Sequence, residues 1–197
     1  MIAPLAALGS ADRWLLLKIN RDWASPALDK AMPLITDIHK VKWFIFGVAP
    51  ALLALWLWRG RKRALKVLVV AALAIASGDM LAHRVIKPWA ARPRPERTLG
   101  PAVFMRAPAN GAYGFPSNHA TNMAAAAAVL TFAYPAGALV FAGAAALVAY
   151  SRVYVGAHYP GDVLAGLALG AAIGWLWAAL LLGGSDASGR LRKKKRK

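Results

Sequence analysis

The sequence predicts an all-α integral membrane protein: a helical bundle of five to six transmembrane helices with an interfacial amphipathic helix near the N-terminus. Of its 197 residues, 59% are hydrophobic, and they gather in apolar runs long enough to cross a bilayer. Because lipid offers the backbone no hydrogen-bond partners, each span must be helical. We expect one membrane-embedded domain over residues 1–185 and a basic, disordered cytoplasmic tail over residues 186–197. The chain has no cysteine, which excludes disulfides and thiolate chemistry.

The segment before the first span is predicted to contain one short amphipathic helix. Ser25 is a typical N-cap residue, and Pro26 suits a first helical turn. Apolar residues then recur at helical spacing, at Leu28, Met32 and Ile35. This pattern indicates a helix on the membrane surface, serving as an anchor or as a lid over a site. A sixth, poorly formed span over residues 14–19 is the alternative for part of this segment.

Five apolar stretches are the predicted spans. They cover residues 43–58, 64–86, 119–134, 137–151 and 161–183. Within the last of them, Gly166, Gly170 and Gly174 recur at every fourth position. Small residues at this spacing let helices approach closely in lipid, so we assign these glycines to packing.

Basic residues orient the spans. Residues 59–63 and 190–197 are strongly basic, and the positive-inside rule places both in the cytoplasm. Five spans then put residues 87–118 and 152–160 on the outer face. These flanks, together with anionic lipid headgroups, account for the net charge of +17. Nucleic acid is not an expected partner, because no basic stripe alternates with base-stacking aromatic residues.

Three polar clusters lie at the outer ends of the predicted spans, where strongly polar residues are costly and indicate function. The cluster nearest the C-terminus contains Ser151-Arg152, His158 and Asp162. Pro160 favours a helix start, which places His158 at the mouth of the last span with Asp162 close enough to reach back. A carboxylate bonded to one imidazole nitrogen fixes the tautomer and leaves the other nitrogen as a nucleophile.

The middle cluster is Pro116-Ser117-Asn118-His119, directly before a span. Backbone N–H groups at a helix N-terminus, together with the Ser117 hydroxyl, can hold an anion. His119 stands there as a proton donor. One histidine that attacks and another that protonates the leaving oxygen divide the labour of phosphoester cleavage.

The first cluster supplies cations. Lys87 and Arg94 flank a proline-rich loop, and their charges suit the equatorial oxygens of a transferring phosphoryl group. Asp79 and His83 precede Lys87 at helical intervals, so we expect both to face the same polar cavity. They would orient Lys87 from behind or pair with neighbouring arginines.

Two other classes of protein can use such residues. An anion transporter needs buried His, Asp and Arg side chains, but it distributes them through the bilayer rather than at one face. A metal-dependent hydrolase would recruit His119, His158 and Asp162 as ligands, although the chain has no closely spaced ligand motif such as H-E-x-x-H.

The three motifs, Lys-x6-Arg-Pro, Pro-Ser-x-His and Ser-Arg-x5-His-x3-Asp, fall in this order within residues 84–165. This order resembles the signature of the type 2 phosphatidic acid phosphatase superfamily. The resemblance implies that phosphate is bound by Lys87, Arg94 and Arg152, assisted by Ser117 and the backbone around Asn118. It also implies a His158 nucleophile that forms a phosphohistidine, oriented by Asp162, with His119 as general acid.

The resemblance further implies a bundle of six spans, no metal and no cofactor. Glycine is usual where Asn118 stands; an asparagine can adopt the positive φ that such a turn requires, or add its amide to the phosphate site. Membrane members act on lipid phosphates and pyrophosphates, and this compact chain resembles bacterial undecaprenyl pyrophosphate phosphatases most. Phosphatidylglycerophosphate, phosphatidic acid and lipid A are the alternative substrates. We expect a multi-pass protein of the bacterial cytoplasmic membrane with an outward-facing site, and leave its oligomeric state open.

Overall fold

The structure is a computed structural model that describes residues 3–109 and 111–183, without the side chains of residues 3–8 and 39. Among these residues it contains helices and no β-strand, which confirms the all-α prediction. The helices are α1 (Ala3–Leu17), α2 (Pro26–Asp37), α3 (Ala49–Met80), α4 (Lys87–Ala90), α5 (Pro95–Leu99), α6 (Asn118–Ala133), α7 (Ala138–Tyr154) and α8 (Pro160–Leu182). The predicted tail, residues 186–197, lies outside the described residues.

The chain reverses direction inside α3. Arg61 has φ 45° and ψ −127°, which breaks the helix there. Near the break, the ring of Trp56 lies 6.3 Å from that of Tyr134, and Nη2 of Arg63 donates to the carbonyl oxygen of Ala133 at 2.6 Å. The helical stretch that contains α3 runs from Phe44 to Ala90, and the break divides it into two arms. The far ends of these arms lie close together, since Lys40, just before the stretch, and Lys87, near its end, line one cavity. The arms therefore correspond to the predicted spans 43–58 and 64–86.

Three helical stretches are long and apolar enough to cross a membrane: Phe44–Ala90, Pro135–Tyr154 and Pro160–Leu182. The first contains both arms of α3. The shorter α6 is about 24 Å long at 1.5 Å per residue, and it runs from Ser117 at the cavity end to Tyr134 beside Trp56. The described chain thus passes five times between the two ends of the bundle.

Glycines on α8 allow it to lie directly against α6. A Cβ atom at Gly166 would stand 2.6 Å from the carbonyl oxygen of Ser117. Side chains at Gly170 and Gly174 would clash with the carbonyl oxygens of Thr121 and Ala125. The assignment of these glycines to packing is confirmed, and the contact holds the start of α6 beside the start of α8.

Both N-terminal helices lie at the cavity end. In α1, Asp12 accepts a hydrogen bond from the backbone N–H of Gly161 at 2.8 Å. Asn20, just beyond α1, donates to the carbonyl oxygen of Tyr154 at 2.8 Å. Because both contacts are at one end of the bundle, α1 lies across that end, and the alternative of a sixth span over residues 14–19 is wrong.

The helix predicted from Ser25 onward is α2, and Oγ of Ser25 caps it by accepting from the N–H of Leu28. Met32 is buried, as the apolar pattern indicated. The C-terminal end of α2 reaches the cavity, where Oγ1 of Thr36 accepts from Arg152 at 2.6 Å. This helix therefore forms part of the cavity wall.

Candidate active site

His158 lies in the turn between α7 and α8, with 2% of its surface exposed. Pro160 begins α8, and Asp162 caps it by accepting the backbone N–H of Tyr159 at 3.0 Å. Oδ2 of Asp162 then stands 3.5 Å from Nδ1 of His158. This distance is within ion-pair range but longer than a direct hydrogen bond, so the carboxylate faces the ring without bonding to it in this structure.

The tautomer of His158 follows from its other nitrogen. Nη1 of Arg94 lies 3.1 Å from Nε2 of His158. A guanidinium only donates hydrogen bonds, so Nε2 must accept, and the proton of the neutral ring is on Nδ1, facing Asp162. Burial lowers the pKa of His158 to about 3, with Arg94 and Arg152 lowering it further against the opposing effect of Asp162. The ring is therefore neutral, with a lone pair on Nε2.

The two arginines of the site are buried and held by protein oxygens. Arg94 donates from Nη1 to the carbonyl oxygen of Ala157 at 2.9 Å and from Nε to that of Gly111 at 3.1 Å. Arg152 is held by Thr36, while its Nε atom has no hydrogen-bond partner among the described residues. Both guanidiniums line the cavity next to His158.

Lys87 also lines the cavity, but its ammonium holds the loop before α6. Nζ donates to the carbonyl oxygen of Pro116 at 2.7 Å and stands 3.4 Å from those of Tyr113 and Gly114. The two longer contacts are weak, so one or two N–H groups are available for exchange with an anion. Lys87 thus shapes the loop in addition to carrying its predicted charge.

At the start of α6, Ser117 is fully buried and its Oγ has no hydrogen-bond partner among the described residues. Asn118 is the first helical residue and does not have positive φ, so that explanation for its replacement of glycine is wrong. Nδ2 of Asn118 donates to Oδ1 of Asp79 at 2.7 Å, which ties α6 to α3. His119 lines the cavity.

Asp79 and His83, the two residues predicted to support Lys87, occupy different places. His83 lines the cavity itself. Asp79 lies behind it, where it accepts from Asn118 and, at 3.2 Å, from Asn122.

These elements enclose a cavity of about 490 Å³. It is lined by predicted site residues from all three motifs, namely Lys87, Arg94, Asn118, His119, Arg152 and His158. Asp162 and Ser117 are fully buried and are not part of the lining. His119, His158 and Asp162 do not form a group that could hold a metal ion, nor do any three described His, Asp or Glu residues.

Sequence reasoning missed four residues at this site. Asp37 at the end of α2 and Lys40 just after it line the cavity, Thr36 holds Arg152, and Asp12 of α1 reaches the start of α8. Nothing in their local sequence marks them. Arg92, by contrast, lies in the proline-rich loop between the predicted Lys87 and Arg94, and its Nη1 donates to Oδ1 of Asp162 at 2.8 Å.

Known proteins resemble this chain in sequence. The sequence pattern of the PAP2 superfamily matches residues 63–183, which hold all three motifs. The chain belongs to the PAP2 superfamily. A lipid A 4'-phosphatase of Bacteroides thetaiotaomicron is 33% identical over 178 residues, covering 86% of this chain and 76% of that protein. An undecaprenyl-diphosphatase of Sulfolobus acidocaldarius is 32% identical, covering 68% and 61%.

The fold of this PAP2 protein also matches a solved structure. The crystal structure of a transmembrane PAP2-type phosphatidylglycerolphosphate phosphatase from Bacillus subtilis superimposes with a TM-score of 0.60 at 27% identity, covering 92% of this chain and 87% of that one. The protein is therefore a membrane-embedded hydrolase of the lipid phosphatase class.

Proposed function

We propose that this PAP2 protein removes the terminal phosphate of a lipid phosphate or pyrophosphate through a phosphohistidine at His158, without a metal ion. The neutral His158 ring carries the proposal, because its Nε2 lone pair faces a cavity lined by buried cations. Arg94, Arg152 and Lys87 supply positive charge around the place where a phosphoryl group would lie. Donors fixed in a buried site stabilise the charge of a transferring phosphoryl group strongly.

In the first step, Nε2 of His158 attacks phosphorus and the bond to the leaving oxygen breaks. His119 donates a proton to that oxygen as the lipid product departs. The phosphorylated ring keeps its proton on Nδ1 and becomes positively charged, and the carboxylate of Asp162 faces that charge at 3.5 Å. In the second step, a water molecule attacks phosphorus and gives its proton to His119. The N–P bond then breaks, releasing phosphate and neutral His158.

Undecaprenyl pyrophosphate is our first candidate for the lipid. A pyrophosphate headgroup is small, strongly anionic and matched to a cavity rich in cations. An undecaprenyl-diphosphatase is among the relatives of the chain. The helical stretch that begins at Phe44, close to the cavity, carries exposed apolar side chains such as Phe46 and Leu52, which suit a hydrocarbon tail.

Lipid A is the second candidate. It is favoured by the lipid A 4'-phosphatase relative, whose match covers 86% of this chain. The two candidates differ in chemistry, since a pyrophosphate releases a lipid phosphate and lipid A releases a sugar hydroxyl.

We also propose that the cavity opens at the outer face of a bacterial cytoplasmic membrane, with the C-terminal tail inside. Basic residues 59–63 stand at the end of the bundle opposite the cavity, which supports this orientation. The chain contains no cysteine, so single introduced cysteines report topology cleanly. A cysteine at position 105 should react with an impermeant thiol reagent from outside the cell, and one at position 62 should not; the reverse result would invert the orientation.

Phosphate release by the purified protein tests the proposed function. The substrates are undecaprenyl pyrophosphate, lipid A, phosphatidylglycerophosphate and phosphatidic acid, each with excess chelator. Turnover of at least one lipid in chelator, lost in the His158→Gln variant, is the expected result. Activity that disappears in chelator and returns with zinc would contradict the proposal.

A further inference from the structure

The orienting carboxylate of the site is held from behind by a second cation. Oδ1 of Asp162 accepts from Nη1 of Arg92 at 2.8 Å, while Oδ2 faces His158 and caps α8. Asp162 is fully buried, whereas 29% of the Arg92 side chain is exposed. A buried carboxylate is costly without a partner, and a guanidinium bonded to one oxygen both balances its charge and fixes its rotation.

A second carboxylate, on α1, holds that guanidinium. Oδ2 of Asp12 accepts from Nη2 of Arg92, and Oδ1 of Asp12 accepts from the N–H of Gly161 at 2.8 Å. The guanidinium plane of Arg92 also lies over the ring of Tyr159, 4.3 Å from its centre. Asp12 and Gly161 are 149 residues apart, so α1 is pinned to the first turn of α8 beside Asp162.

The packing leaves little room for another arrangement. A Cβ atom at Gly161 would stand 3.0 Å from Oδ2 of Asp12 and 3.4 Å from Nη1 of Arg92. A Cβ atom at Gly114 would stand 2.8 Å from Oδ2 of Asp162. Both glycines therefore allow the charged groups to reach one another.

We propose that Arg92 and Asp12 are positioning residues for the reaction: the row Asp12, Arg92, Asp162, His158 aims one oxygen of Asp162 at Nδ1 of His158. This inference rests on the proposed function, because it assigns a task to the oxygen that faces the nucleophile. Arg92 stands at one of the unspecified positions of Lys-x6-Arg-Pro, and Asp12 lies in a helix outside the matched residues 63–183. Helix α1 thus helps to position the side chains of the site.

The two bonds made by Arg92 require the planar guanidinium of arginine rather than the single ammonium of lysine. Arg92 uses two different nitrogens for its two carboxylates, which the single ammonium of lysine cannot reproduce at the same distances. Arg92→Lys should therefore retain part of the activity and Arg92→Ala very little. The loss should fall on kcat, about 10²-fold for Arg92→Ala, with KM nearly unchanged, because Arg92 is not among the residues lining the cavity.

Chemical rescue separates positioning from folding. The partly exposed Arg92 side chain leaves a solvent-accessible gap when it is shortened to alanine. Phosphate release by Arg92→Ala should therefore rise at least tenfold when guanidinium ions are added at concentrations that do not unfold the wild-type protein. Arg97→Ala is the matched control, since it removes an exposed arginine from α5, which directly follows the loop of Arg92, and it should keep wild-type activity and show no rescue.

Asp12 is tested by two replacements. Asp12→Asn keeps an oxygen for the N–H of Gly161 but loses the charge beside Arg92, and Asp12→Ala loses both. We expect kcat to fall in the order wild type, Asp12→Asn, Asp12→Ala, with KM nearly constant.

The assays use the panel lipid that the wild-type protein turns over fastest. Wild-type kcat in Arg92→Ala would overturn the inference, as would a reduced kcat that guanidinium does not restore in protein that unfolds at the wild-type temperature. If Arg92→Ala unfolds early, Arg92→Lys with a wild-type unfolding temperature and wild-type kcat would also overturn it. Absence of turnover by the wild-type protein on every lipid would instead count against the proposed function.

Discussion

Nη1 of Arg94 lies 3.1 Å from Nε2 of His158, so the cation that we propose to bind phosphate also covers the lone pair that we propose as the nucleophile. An entering phosphate oxygen can take over that N–H group. The exchange uncovers Nε2 and leaves phosphorus next to it, which couples binding of the headgroup to exposure of the nucleophile.

Arg94→Lys should lower kcat/KM by about 10²-fold, the usual cost of losing one preorganised donor at a reacting oxygen. Lysine keeps the charge but cannot hold the carbonyl oxygens of Ala157 and Gly111 while also facing His158. Steady-state phosphate release measures the effect, with Arg97→Lys as the matched control. Equal activity in both variants would show that the fork of Arg94 has no role.

The pKa of His158 predicts a pH effect on its protonation. Because burial lowers that pKa from 6.5 to about 3, the ring should stay neutral at pH 5 in the folded protein, whereas exposed histidines are protonated there. The chain has four histidines, so NMR of ¹⁵N-labelled imidazoles can follow each of them. One ring should show no titration between pH 8 and 5, and its signal should be missing from His158→Gln. Titration of all four rings near pH 6.5 would contradict this environment.

The same shift predicts how stability depends on pH. The unfolded chain takes up a proton at His158 below about pH 6.5 and the folded chain does not, so unfolding is favoured as the pH falls from 6.5 towards 3. The unfolding temperature of the wild-type protein should therefore decrease more steeply over this range than that of His158→Gln. If the unfolding temperatures of the two proteins decreased equally with pH, the lowered pKa of His158 would be contradicted.

The proposed role of His119 as general acid predicts that the effect of its loss depends on the leaving group. An alcohol leaves poorly without a proton, whereas a phosphate leaves readily. His119→Ala should therefore slow the first step, in which the lipid product departs, by about 10³-fold for phosphatidic acid and by about tenfold for a pyrophosphate lipid. Single-turnover rates with both substrates make the comparison. If both substrates lost the same factor in rate, His119 would not be the residue that protonates the leaving group.

Asn118 should contribute more to stability than to phosphate binding, because its amide donates to Asp79. Asn118→Ala should lower the free energy of unfolding by about 1–2 kcal/mol, and the effect should be much smaller in an Asp79→Ala background. Unfolding in detergent of the four proteins of this cycle measures the coupling. An unchanged stability together with a large rise in KM would assign the amide to the phosphate instead.

Much of the fold and of the site could be predicted from local patterns in the sequence. Apolar runs marked the five passes, and basic residues marked the reversal beside Arg61, because span length and flanking charge are properties of short segments. The motif residues could be grouped because the outer ends of the spans must share one side of the membrane. His158 and Asp162 are four residues apart at a helix start, so their proximity followed from helix geometry alone.

Contacts between distant segments could not be predicted in this way. The bond from Arg152 to Thr36 joins residues 116 apart, and that from Gly161 to Asp12 joins residues 149 apart. The contact of Lys87 with Pro116 depends on the backbone path of a loop, which apolar periodicity does not describe. The bond from Asn118 to Asp79 was not predicted for a related reason, because Asp79 is on another helix.

In the proposed mechanism, every other assigned residue supports the covalent phosphorylation of His158. It can be measured by mixing the His119→Ala variant with a pyrophosphate lipid labelled with radioactive phosphorus at its terminal phosphate, then quenching in alkali, where phosphohistidine survives. We expect label to accumulate towards one phosphate per protein on the peptide that contains His158, and to be absent from the double variant with His158→Gln. Turnover of the lipid without label on that peptide, or turnover retained in His158→Gln, would contradict the mechanism.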